Sequence, residues 1–138
     1  MKRLLTASII ALTSTQVNAM DSLSALEWKN RVIVVLGKRD DPKLDRQIAL
    51  LESQKEELAD RDMVIIRVSG EDARTVYGKA SVLDASAIRK EAHVSGDRFQ
   101  VLLLGKDGGV KLRSDSVVRN VEIFDLIDSM PMRNAERG

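Results

Sequence analysis

The sequence predicts an α/β domain with a central mixed sheet and helices on both faces, in the order strand, helix, strand, helix, strand, strand, helix. Three observations lead there. Arg31 to Leu36 (RVIVVL) and Met63 to Val68 (MVIIRV) are short, β-branched apolar runs, the pattern of strands buried on both faces. Between them Leu44, Ile48, Leu51 and Leu58 recur at helical spacing. Further on, Phe99 to Leu104 and Val110 to Arg113 flank Gly105-Lys106-Asp107-Gly108-Gly109, a hairpin in which the Asp-Gly pair supplies the positive φ angles of a tight turn.

Before the first strand, Met1-Lys2-Arg3, the apolar run Leu4 to Leu12, and the small residues Val17 and Ala19 make a secretory signal peptide, with cleavage expected after Ala19. The first strand ends at Gly37, and Lys38-Arg39-Asp40-Asp41 is a polar turn. Asp41-Pro42 opens a helix, with the carboxylate as N-cap and proline at the first helical position. One amphipathic helix is expected from there through Leu58, with Leu50 at the edge of its stripe. The strand-helix-strand unit is a right-handed parallel one. Ser69 to Leu83, interrupted by Gly70 and Gly78, reads as a loop or small excursion. Asp84 caps the next helix, Leu83 and Ile88 are placed for a hydrophobic staple, and Ser95-Gly96 stops it after Val94. In the hairpin's second strand Val110 and Leu112 face one way and Lys111 and Arg113 the other. Ile123, Phe124, Ile127 and Met130 form the last helical stripe, closed by Pro131. The expected organisation is a leader over 1–19, one domain over 20–131 and a flexible tail over 132–138.

Lysines and arginines number 22 against 21 acidic residues, and loss of Lys2 and Arg3 with the leader tips the balance slightly acidic. That balance gives no support to nucleic-acid binding, which needs a basic patch. No stretch after the leader is long and apolar enough to span a bilayer. The protein is expected to be exported, to the periplasm of a Gram-negative source and otherwise to the medium. The chain has no cysteine, so thiol and disulfide chemistry are excluded, and the core rests on Leu, Ile and Val.

Candidate chemistry is sparse. His93 is the sole histidine, which rules out a multi-histidine metal site. At a helix end it reads as a dipole partner, with general base or pH sensor as the alternative. Asp40 and Asp41, with Asp45, are acceptable ligands for a hard cation, but the spacing is not that of an EF-hand and no metal is expected. There is no G-x-S-x-G nucleophile elbow, and neither Gly105-Lys106 nor Gly78-Lys79 has phosphate-loop spacing, so no cofactor is expected. Trp28, just before the first strand, reads as a cover for one end of the core, with an exposed contact residue as the alternative.

VIVVLGKRDDPK, Val32 to Lys43, lies without gaps on the thioredoxin strand that leads to the Cys-Gly-Pro-Cys motif. Pro42 matches the motif proline, Asp40 and Lys43 take the two cysteine positions, and Val34 replaces the buried acid. FQVLLLGKDGGVK, Phe99 to Lys111, resembles the thioredoxin strand-turn-strand and places Gln100 where that family has its cis-proline. Over nearly the whole mature chain the sequence more closely resembles a family of short secreted bacterial proteins of unknown function. That resemblance is carried by Trp28-Lys29-Asn30-Arg31, Leu102 to Arg113 and Ile127 to Arg133. The family looks like a thioredoxin or peroxiredoxin relative, with related domains in animal sushi-repeat and coiled-coil-domain matrix proteins.

The resemblance implies that the loop of Asp97, Arg98 and Gln100 approaches the strand-to-helix junction of Asp40, Asp41 and Lys43, where open α/β sheets bind ligands. Arg98 is then placed to pair with an anionic ligand or with Asp40. The bland alternative is a helix cap inside a solvated turn. The leading expectation is a redox-inactive thioredoxin-like module that binds a periplasmic protein or peptide. The alternatives are an enzyme of non-thiol chemistry using Asp40, Asp41 and Arg98, and a structural protein that self-associates at a sheet edge.

Overall fold

The computed structural model describes residues 20 to 137, so the expected leader and Gly138 lie outside the described residues. A 3-10 turn, Asp21–Leu26, precedes β1 (Arg31–Gly37), α1 (Pro42–Glu52), α2 (Lys55–Asp60), β2 (Met63–Ser69), β3 (Asp72–Tyr77), α3 (Ala85–Ala92), β4 (Gln100–Leu104), β5 (Val110–Ser114), α4 (Asn120–Asp128) and α5 (Pro131–Arg137). The strands form a single sheet ordered β3-β2-β1-β4-β5. β1 runs parallel to β2, with Arg31 beside Met63 and Gly37 beside Ser69, and antiparallel to β4, with Val32 opposite Leu104 and Leu36 opposite Gln100. This is the mixed-sheet, thioredoxin-like α/β architecture expected.

Side chains alternate across a strand, and here both faces are covered. Val32, Val34 and Leu36 pack with Leu23 and Leu26 of the 3-10 turn and with Ala85, Ile88 and Ala92 of α3. Ile33 and Val35 pack with Leu44 and Leu51 of α1, Leu58 of α2, and Ile123 and Ile127 of α4. Every residue of β1 is therefore buried, which is why its sequence shows no polar alternation.

Six local features depart from the sequence reading. The expected single helix is two, parted at Gln54 (φ −131°, ψ 56°). Leu44, Leu51 and Leu58 are all buried, and their regular spacing suits one helix or two successive ones. The stretch expected to be a loop contains β3, an edge strand of half-covered residues whose register with β2 shifts between Ile65 and Ile66. Gly70, at φ 59°, begins the two-residue turn that joins Ser69 to Asp72. α3 ends earlier than expected, at His93 in the left-handed region (φ 58°), with the His93 and Val94 N–H groups returning to the Lys90 and Arg89 carbonyls.

In β5 the register shifts opposite Leu103 and Leu104. Val110 consequently packs on the α3 face and Leu112 on the α1 face, not together as simple alternation requires. Of the Asp-Gly pair in the turn before it, only Gly108 takes a positive φ, 81°. The positive φ calls for glycine there, and a Cβ would in addition lie 2.7 Å from Glu27 Oε1 and oblige that side chain to shift. Finally, Pro131 does not close the fold. It starts α5, and Arg133 within the expected tail is 5% exposed.

Candidate functional site

Asp41 leaves the end of β1 in extended conformation and its Oδ1 accepts the Lys43 N–H at 2.9 Å, which caps α1. A Cβ on Gly37 would lie 3.5 Å from Leu44 Cβ, 3.6 Å from Phe99 Cδ1 and 3.8 Å from Asp41 Oδ2. The strand end, the helix start and the residue before β4 therefore converge. Lys43 Nζ lies 5.8 Å from the Phe99 ring centroid, within cation–π range. Arg67 Nη2 on β2 donates to the Arg39 carbonyl at 3.2 Å and supports the turn from below.

The six expected site residues divide into two groups. Asp40, Asp41 and Lys43 sit at the β1–α1 junction, with Asp40 and Lys43 exposed. Gln100 is 7% exposed, stands opposite Leu36, and shares its face with Leu102 and Leu104. Arg98 joins Gln100 together with His93, Val94 and Arg113 around an open depression of about 390 Å³. Asp97 is exposed between the two groups in sequence. No ion pair links Arg98 to Asp40 among the described residues. Phe99, which closes the junction from the β4 side, was not singled out from sequence, although it stands directly between Arg98 and Gln100. Among the described residues no group of three or more His, Cys, Asp or Glu side chains is arranged to hold a metal ion.

The densest electrostatics lie at the other end of the sheet. Arg31, at 1% exposure, donates from Nη1 to the Arg61 carbonyl at 3.1 Å and to Glu136 Oε2 at 3.2 Å. Lys106 Nζ bonds Asp62 Oδ2 at 2.8 Å and also pairs with Glu136. Asp128 accepts from Arg61 Nη2 at 2.8 Å and from Arg133 Nε at 3.1 Å. Arg133 Nη2 reaches Asp60 Oδ2 at 2.6 Å. The Arg61 guanidinium also lies 4.5 Å from the Phe124 ring centroid.

Partial burial by itself opposes ionisation of Asp128, but the hydrogen bonds and charges of Arg61 and Arg133 outweigh it and lower its pKa. Glu136 is lowered in the same way, burial being overcome by Lys106 and Arg31. Burial likewise opposes the charged forms of Lys106 and Arg133, and their carboxylate partners raise both pKa values. This pole also holds Trp28, which the core-cover reading misplaces. It is 67% exposed, at φ 67°, with its N–H donating to the Lys106 carbonyl at 2.6 Å. The three segments that carry the family resemblance, around Trp28 to Arg31, Lys106 and Asp128 to Arg133, thus meet in space.

A family model described as "Domain of unknown function (DUF4174)" matches residues 22–136. The chain belongs to this family. The sequence is also 30% identical over 132 residues to the protein named coiled-coil domain-containing protein 80 of Danio rerio, covering 83% of this chain. It spans only 15% of that relative's length. No solved structure matches. The family's shared segment reaches past Pro131 through all but the last residue of α5, which agrees with α5 being part of the folded unit. No helix among the described residues is long and apolar enough to cross a membrane.

Proposed function

We propose that this member of the family is an exported, redox-inert thioredoxin-like module that binds a protein or peptide partner through the edge bearing Asp40, Asp41, Lys43, Asp97, Arg98 and Gln100. The observation that carries the reading is the strand-to-helix junction itself. The proline that starts the helix, Pro42, is retained and Asp41 caps it, while Asp40 and Lys43 stand exposed at the positions corresponding to the thiols. The leader Met1 to Ala19 supports export to the periplasm of a Gram-negative cell, or to the medium otherwise.

Exposure of Lys38, Arg39 and Asp40 favours a contact surface over an enzyme, since acid–base chemistry needs groups held in a water-excluding cleft. The test is crosslinking in intact cells followed by identification of the captured proteins, with the wild type beside an Asp40→Ala/Asp41→Ala/Arg98→Ala variant. A partner bound by the wild type and lost from the variant is the expected result. If every captured protein stays bound to the variant, the partner surface lies elsewhere.

A further inference from the structure

On the α3 side of the candidate edge, the depression lined by His93, Val94, Arg98, Gln100 and Arg113 has a volume of about 390 Å³, inside the range of roughly 300–1,000 Å³ typical of ligand pockets. No carboxylate lines it among the described residues. The guanidinium groups of Arg98 and Arg113 have neither an ion-pair nor a hydrogen-bond partner among the described residues. Arg113 reaches this face because it stands opposite Leu102, whose side chain shares a face with Gln100. Gln100 supplies an independent signal. It is 7% exposed, it lines the depression, and its side-chain amide makes no hydrogen bond among the described residues. Its amide opens onto the depression and offers a ligand one acceptor and two donors that the fold itself does not use.

We propose that this depression binds the acidic segment of a peptide, with Arg98 and Arg113 holding a side-chain or terminal carboxylate and the Gln100 amide pairing with the adjacent peptide group. Planar guanidinium forks match a carboxylate bidentately. The amide decides between a peptide and a bare oxyanion. Its NH₂ donates and its oxygen accepts, so it is satisfied by a partner that offers both functions, as a peptide C=O and N–H do. Sulfate or phosphate offers acceptors alone. The α3 C-terminus, whose free carbonyls would repel an anion, has the Arg89 and Lys90 carbonyls occupied by the Val94 and His93 N–H groups.

The inference rests on the reading that this edge receives a peptide, and it adds the chemistry recognised. The experiment is amide chemical-shift mapping of the mature chain titrated with a glutamate-rich octapeptide, its glutamine counterpart and sodium sulfate. Saturable shifts confined to His93, Arg98 to Val101 and Arg113 are expected with the acidic peptide alone. Arg98→Gln/Arg113→Gln is expected to weaken binding by about tenfold or more, the loss of a charge-assisted pair. Arg98→Lys/Arg113→Lys, which keeps the charge and loses the fork, is expected to fall between, and folding of each variant is checked in the same spectra. Equal shifts with the glutamine peptide would overturn the acidic specificity while leaving a peptide-binding edge intact. Equal displacement of the peptide by sulfate would overturn the peptide assignment, and no shift at these residues with any probe would overturn the inference, while loss of a crosslinked partner from the Asp40→Ala/Asp41→Ala/Arg98→Ala variant would still support a partner edge.

Discussion

At one end of β1, Gly37 leads into a turn where Lys38, Arg39 and Asp40 are exposed. At the other, Arg31 is 1% exposed and tied through Glu136 and Lys106 to Asp62, beside the Arg61–Asp128–Arg133–Asp60 chain. Both ends are rich in charge, yet the charges are used differently. Buried arginines that lose their partners leave uncompensated charge in a poorly solvated place, so the network at the Arg31 end holds α5, α4 and the β4–β5 turn to the sheet. Exposed charges at the Asp40 end stabilise little by themselves. They are free for a partner, and the comparison separates charge that secures the fold from charge available for recognition.

Truncation after Met130 strikes hardest at this contrast, because it removes Arg133 and Glu136, takes the only carboxylate from the buried Arg31 among the described residues, and leaves Lys106 with Asp62 alone. It is expected to cost about 3–5 kcal/mol by urea denaturation. A truncated chain as stable as the intact one would return residues 132–138 to the flexible tail read from sequence. Arg133→Ala alone removes the partner of Asp60 and one of the two arginines on Asp128, which keeps Arg61, and is expected to cost about 2 kcal/mol, the loss of hydrogen bonds to charged groups.

Acid should act on the same pole. Asp128 and Glu136 have folded-state pKa values below their ordinary ones. The stability they contribute is complete above the unfolded values of roughly 4 and is lost as pH falls through the lower folded values. Lys106 is raised above the ordinary 10.5, so its share is complete below that pH and lost above it. Denaturation midpoints are expected to be level through neutral pH and to decline below about pH 4, less steeply in Asp128→Asn. A decline of unchanged slope in that variant would place the acid sensitivity elsewhere.

At the Asp40 end the expected effects are small. Asp41→Ala removes the α1 cap and should cost about 1 kcal/mol. Asp40→Ala and Lys43→Ala should each change stability by no more than about 0.5 kcal/mol, and any loss of partner binding in them is then a surface effect. A larger cost at Lys43 would show that its contact with Phe99 matters to packing.

Much of the fold was legible because its signals are local. β1 and β2 are buried on both faces and read as unbroken apolar runs, and the Asp41 and Asp84 caps act within three residues along the chain. β3 was missed because an edge strand is covered only in part and its bulge breaks the two-residue period. The β5 bulge likewise hid the fact that Val110 and Leu112 face opposite ways. Gln47 carried no signal either. It is wholly buried within α1, and its amide bonds both the N–H and the carbonyl of Val118, a residue far along the chain. At the candidate site the sequence located the residues of the β1–α1 junction and the Arg98–Gln100 loop. It did not separate them into a capped turn and an arginine-lined depression, since that depends on Arg113 arriving from β5.

The sequence by itself determined the strand and helix order, the absence of thiol chemistry and the helix starts, because composition, periodicity and capping act over a few residues. Tertiary structure alone decided that Arg31, Arg61 and Arg133 are buried with partners, that a proline near the end begins a helix, and that Gln100 meets unpaired arginines. A charged side chain carries no mark of its burial. Only the arrival of a carboxylate from a distant segment makes burial affordable, and where none arrives, as around Arg98 and Arg113, the charge remains open to a ligand.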